Sequence, residues 1–118
     1  MSSGGEISHR PWGWFEVLLD EPTYKVKRLA VNPGHRLSLQ YHRRRAEHWF
    51  VVVGQGVVTR GVDEIPVAAG QALDIPVEAP HRLRNTGAEM LIVIEIQRGD
   101  YFGEDDIVRL ADDYDRNR

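Results

Sequence analysis

From Lys25 to Gln97 the chain is a succession of short stretches, four to eight residues long, most of them broken by glycine, proline or polar turn residues. Lys25 to Val31 alternates and ends at Asn32-Pro33-Gly34, a turn signal. Arg36 to His42 alternates with Arg36, Ser38, Gln40 and His42 on one face and Leu37, Leu39 and Tyr41 on the other. Glu47 to Val53 is aromatic and β-branched and stops at Gly54-Gln55-Gly56, a hairpin-type break. Val57 to Arg60, Glu64 to Val67, Ala72 to Ile75, His81 to Asn85 and Met90 to Gln97 follow at similar spacing. Many short strands with no helix between them exclude a parallel α/β sheet and leave a sandwich or a closed barrel. A helix is predicted only near the end, over Glu104 to Tyr114. There Ile107, Leu110, Ala111 and Tyr114 recur at helical spacing, and Glu104, Asp105 and Asp106 suit the first turn of a helix dipole.

At 118 residues the chain has room for one core. Met1 to His9 is largely Ser/Gly-rich and lacks the apolar run of a secretory signal; it reads as a flexible leader, with one domain over residues 10–118. No apolar run approaches the roughly 20 residues of a membrane helix, so no membrane partner is expected. The chain has no cysteine. That excludes disulfide scaffolds and thiolate metal sites, and it suits a cytoplasmic protein.

Net charge is −3, unevenly spread. Lys25 to His48 carries seven basic residues against Glu47 alone, whereas Glu104 to Arg118 carries six acids and three arginines. A local basic patch on a mildly acidic protein suits a small anion such as a phosphate better than a nucleic acid. For Arg43 to Arg45 a plain solvated face is an equal reading.

The polar face Arg36, Ser38, Gln40, His42 either meets solvent or lines a cavity. Glu47 opens the apolar run Trp49 to Val53, and a carboxylate at the head of a buried strand needs a partner. His81 follows Pro76 and Pro80 at the start of another strand. Two imidazoles, a carboxylate and an amide oxygen form an N/O donor set suited to one divalent ion: Zn, Mn, Fe, Co or Ni.

The spacing Gly34, five residues, Gln40, one, His42, four, Glu47, six, Gly54 resembles the first cupin motif, with Gln in place of its first His. Gly70, five residues, Pro76, four, His81, three, Asn85 resembles the second, except that Glu78 stands where that motif has Gly. The fold this implies is all-β, a double-stranded β-helix or cupin jelly-roll barrel with the short C-terminal helix. Arg10-Pro11-Trp12-Gly13, Tyr24 to Arg28, Leu37 to Gln40, Arg45 to Trp49, Gly99-Asp100-Tyr101 and Asp106 to Leu110 are similar to the type II mannose-6-phosphate isomerase domain. That domain is commonly the C-terminal half of a bifunctional mannose-1-phosphate guanylyltransferase/phosphomannose isomerase. The Gly-rich nucleotide loop and βαβ unit of the other half are not found in this sequence.

The resemblance implies Gln40, His42, Glu47 and His81 as metal ligands and a sugar phosphate as substrate. Interconverting mannose 6-phosphate and fructose 6-phosphate needs a proton shuttle. Glu95, interrupting the apolar run Leu91 to Ile96, is the first candidate, with a salt bridge to Arg82 or Arg84 as its structural alternative. His48 is the second, although it alternates away from Glu47. Arg36, with Lys27 or Arg28, is the expected phosphate site. The resemblance also implies a homodimer. A second reading is a non-catalytic module that holds metal and sugar phosphate beside a separate nucleotidyltransferase.

Overall fold

The structure, a computed structural model, describes residues 6–114. Eleven strands follow in chain order: β1 Ile7–Arg10, β2 Gly13–Asp20, β3 Tyr24–Val31, β4 Leu39–Tyr41, β5 Arg45–Val53, β6 Gln55–Arg60, β7 Asp63–Ala68, β8 Ala72–Ile75, β9 His81–Asn85, β10 Leu91–Gly99 and β11 Val108–Ala111. They form a six-stranded sheet in the order β1-β2-β3-β10-β5-β8 and a five-stranded sheet in the order β11-β4-β9-β6-β7. All the ladders are antiparallel. Among the described residues no helix is long and apolar enough to cross a membrane.

The inward face of the larger sheet is read directly from period-two alternation. In β5 the buried residues are Arg45, Glu47, Trp49 and Val51; in β10 they are Leu91, Val93, Glu95 and Gln97. Register pairs Leu91 with Val31, Val93 with Leu29 and Val51, Glu95 with Lys27 and Trp49, and Gln97 with Lys25 and Glu47. Rows across this face are therefore aliphatic at one end and polar at the other. The aliphatic rows meet Val58, Val67, Ile75 and Leu83 in one hydrophobic cluster. Each such side chain removed from water contributes about 1.5–3 kcal/mol, so that half holds the sheets together. The polar half is then free to form a site.

Three expectations are corrected. Residues 104–114 do not form a helix: Glu104–Asp106 is a single 3-10 turn, and β11 follows as an edge strand on β4. Ile7, Ser8 and His9 belong to β1 and pair with β2 rather than to a flexible leader, while Met1 to Gly5 lie outside the described residues. Gly54-Gln55-Gly56 does not close a hairpin either, since β5 and β6 lie in different sheets. The glycines serve close approach at that crossing: a Cβ on Gly56 would lie 2.3 Å from the Arg84 carbonyl oxygen, nearer than any side chain tolerates.

Candidate metal centre and cavity

Three strands, β4, β5 and β9, converge on the polar end. Glu47 comes from β5 of the larger sheet, His81 opens β9 of the smaller one, and His42 lies just beyond β4. Gln40, in β4, is the register partner of His81. His42, Glu47 and His81 are buried, at 3%, 4% and 2% exposure. Their potential ligand atoms lie within 4.8 Å of one another. His42 Nε2 is 3.1 Å from Glu47 Oε2, and His81 Nε2 is 3.8 Å from Glu47 Oε1.

These residues fit a metal ion, on two observations. Glu47 Oε2 and His81 Nε2 are buried without a hydrogen-bond partner, a costly state for polar atoms unless something else binds them. The other ring nitrogens are tied back: His42 Nδ1 donates to the Asp106 carbonyl at 3.2 Å and His81 Nδ1 to the Ala79 carbonyl at 2.9 Å. That arrangement turns both Nε2 lone pairs toward the same point, as in histidine metal sites generally. The rings themselves pack with centroids 5.0 Å apart, and Trp49 meets His81 edge-on at 5.6 Å.

Glu95 lies beside this group. Trp49 Nε1 donates to Glu47 Oε1 at 2.9 Å and to Glu95 Oε2 at 3.2 Å, and Gln97 Nε2 donates to Glu95 Oε1 at 3.2 Å. The two carboxyls part ways in basicity. Burial and the neighbouring Glu47 charge push Glu95 well above the usual carboxylate range. Burial also acts upward on Glu47, but the hydrogen bond from Glu95 and the neighbouring His42 and His81 rings outweigh it and hold Glu47 well below that range. The pair therefore keeps one proton, on Glu95. Burial lowers Lys27 and His81, each against the attraction of a neighbouring carboxylate.

The cavity above the site is about 560 Å³, counting its open mouth, and Glu95, Gln97 and Gln40 line it. So do four cations: Arg10, Lys27, Arg45 and Arg109. Lys27 and Arg10 lie over the Phe15 ring at 4.4 and 4.9 Å. Arg45, 3% exposed, places Nε 3.5 Å from Glu47 Oε2.

Gln40, His42, Glu47, His81, Glu95 and Lys27 are thus brought together. Three predicted residues are not. Arg36 grips Asp113 through two hydrogen bonds of 2.7 and 2.8 Å. The ladder lapses at Leu37 and Ser38, both buried, so alternation does not carry from Arg36 to Gln40. Arg28 points to the opposite face of β3 from Lys27 and pairs with Glu16 at 2.7 Å. His48 faces outward to Asp74 at 2.7 Å.

Arg45 and Gln97 were detectable by extending the alternation of Glu47 and Glu95 by two residues. Arg109 was hidden by the helical reading, and Arg10 stood in the stretch Arg10-Pro11-Trp12-Gly13 without a role attached to it.

Over 108 residues, 92% of this chain, it is 47% identical to the xanthan biosynthesis protein XanB of Xanthomonas campestris. Over the same length it is 44% identical to a mannose-1-phosphate guanylyltransferase of Escherichia coli. The chain spans about a quarter of those relatives, 23% of each. The capsular polysaccharide assembling protein CapF of Staphylococcus aureus superposes with a TM-score of 0.81 at 23% identity, over 90% of this chain and 32% of CapF. A double-stranded β-helix protein of Klebsiella pneumoniae gives 0.71 at 19%, over 79% of each chain. At these identities the two structures support the fold alone. The family described as mannose-6-phosphate isomerase C-terminal matches residues 4–112, and the chain belongs to it.

Proposed function

We propose that this chain is a metal-dependent sugar-phosphate isomerase that interconverts mannose 6-phosphate and fructose 6-phosphate through an enediol. The observation that carries this reading is the pair of partnerless buried donors, Glu47 Oε2 and His81 Nε2, facing a cavity lined by four cations. His42, Glu47, His81 and the Gln40 amide would hold one divalent ion, which supplies Lewis acidity toward the oxygens at C1 and C2. The phosphate site moves from Arg36 and Arg28 to Arg10, Lys27 and Arg109, which line the cavity. Guanidinium forks there suit phosphate oxygens.

The chemistry left to the chain is proton movement. The C2 carbon and the C2 hydroxyl must each lose a proton, and the C1 carbonyl oxygen and the C1 carbon must each gain one. Glu95 suits that traffic, because it holds its proton more tightly than an ordinary carboxyl, beside a carboxylate that gives its own up more readily. Lys27, opposite Glu95 in the ladder, offsets negative charge as the proton moves.

A second reading rests on the name of one relative, a mannose-1-phosphate guanylyltransferase. It is a module that binds metal and sugar phosphate without turnover, next to a separate nucleotidyltransferase. One experiment separates the two. Metal-loaded protein incubated with mannose 6-phosphate in heavy water should yield fructose 6-phosphate with partial deuterium at C1, and chelation should stop it. Binding without conversion above a Gln40→Ala/His42→Ala control rejects the isomerase and leaves the module.

A further inference from the structure

Asp106 is buried, at 9% exposure, yet it touches neither the cavity nor the ligand atoms. Its carboxylate is spread over two consecutive backbone donors: Arg43 N–H reaches Oδ1 at 3.1 Å and Arg44 N–H reaches Oδ2 at 3.0 Å. Its own carbonyl accepts His42 Nδ1–H at 3.2 Å. The residue thus clamps the turn that follows His42 with its side chain and orients the His42 ring with its backbone. Supporting contacts come from the same segment, where Ile107 N–H bonds the Glu104 carbonyl and Asp106 N–H the Gly103 carbonyl, both at 3.1 Å. Glu104, Ile107 and Arg109 on either side line the cavity.

We propose that Asp106 is a positioning residue for the metal centre. Its carboxylate, by pinning residues 43–44, fixes the carbonyl that selects the Nδ1–H tautomer of His42 and leaves Nε2 as the ligand. The proposal rests on the metal-centre reading above, and its first readout needs no metal.

A fixed Nδ1–H donor leaves His42 in one tautomer, whereas an unpinned ring would exchange between two. The carboxylate carbon is three bonds from that carbonyl carbon, through Cβ and Cα, so its removal frees the carbonyl without deleting it. Asn at the same position keeps one acceptor for one of the two N–H groups and loses the other, which predicts an intermediate effect.

The test uses the full chain with Asp106→Ala and Asp106→Asn, and with Arg36→Ala as a control that loosens the neighbouring Asp113 contact without reaching His42. In metal-free protein, 15N spectra of the His42 ring should show a protonated Nδ1 in wild type and in Arg36→Ala, and an Nδ1 only partly protonated in Asp106→Ala. Affinity for Co²⁺ or Zn²⁺, titrated against a chelator, should fall about 10–100-fold in Asp106→Ala and less in Asp106→Asn, the range for lost outer partners of metal-bound histidine. Lower thermal stability in folded Asp106 variants, with unchanged His42 tautomer and metal affinity, would reduce Asp106 to a structural clamp and overturn the proposal. A wild type with the fixed tautomer and no metal affinity would instead reject the metal centre and leave the positioning intact.

Discussion

At the scale of single residues the site is a problem in burying charge. Glu47 and Glu95 share the Trp49 N–H, and burial leaves only one of them ionised. The sign of the resulting pH dependence follows from linkage. Glu95 has a raised folded value, so between the ordinary carboxylate range near ~4.3 and that value the native state binds more protons than the unfolded chain. Its contribution to stability is present at low pH and is lost as pH rises through the folded value. Glu95→Gln should therefore stabilise the chelated protein relative to wild type, increasingly from pH 5 to pH 8. Urea unfolding across that range checks it, and a pH-independent difference would show that Glu95 is ionised throughout.

Glu78 is a second residue-scale case. It alone among the described non-glycine residues has positive φ, at 68°, and its N–H donates to the His42 carbonyl at 2.7 Å. The departure from the motif noted in the sequence thus falls on a left-handed turn that a glycine would adopt freely. Strain of about 1–2 kcal/mol less a glycine's entropic cost of about 0.5–1 kcal/mol predicts that Glu78→Gly stabilises the fold by about 0.5–1 kcal/mol. Glu78→Val, branched at Cβ, should destabilise it. A shift in the urea midpoint in the opposite order would refute this.

Elements were legible where alternation was clean and misread where two periods coincided. The strands from β3 to β10 stand in the sequence because one face is apolar or ligating and the next residue is not; β8 and β9 match residue for residue. In Ile107 to Ala111 the same apolar residues suit a helix stripe or an edge strand, and the acidic cluster before them favoured the helix. What decides in favour of β11 is a long-range partner, β4, and local spacing carries no information about it. The position of Arg36 outside the cavity has the same origin, since the break at Leu37 and Ser38 is imposed by pairing Arg36 with Arg84 and Leu37 N–H with the Leu83 carbonyl. Arg36 and Asp113 stand about 40% exposed, at 38% and 41%. Exposed pairs contribute about 0–1 kcal/mol, so Arg36→Ala should cost less than about 1 kcal/mol of stability. It should also leave sugar-phosphate affinity unchanged by calorimetry, whereas Arg109→Ala or Lys27→Ala should weaken it. Loss of affinity in Arg36→Ala would return the phosphate to that surface.

At the scale of the whole molecule the ligand set is divided between the two sheets. Glu47 belongs to the larger sheet, while Gln40 and His81 belong to the smaller one. The aliphatic rows close the sheets at one end only; at the other, the facing groups are polar, and Glu47 Oε2 and His81 Nε2 have no hydrogen-bond partner. An ion bound there ties both sheets in the native state and finds no preformed site in the unfolded chain. Metal should therefore stabilise the entire fold and not merely the mouth of the cavity. At a free concentration about a hundred times Kd the linkage amounts to about 2.7 kcal/mol. For a domain of this size roughly 3–5 °C accompany each kcal/mol, so Tm should rise by about 8–13 °C. His42→Ala and His81→Ala should abolish the rise, each removing an imidazole ligand, whereas a chelator-washed wild type should regain it on adding metal. Calorimetric scans with and without Zn²⁺, Mn²⁺ or Co²⁺ measure it directly. A Tm indifferent to all of these ions, in a protein whose histidines are intact, would mean that the polar ends of the two sheets are held by their own hydrogen bonds and that no ion joins them.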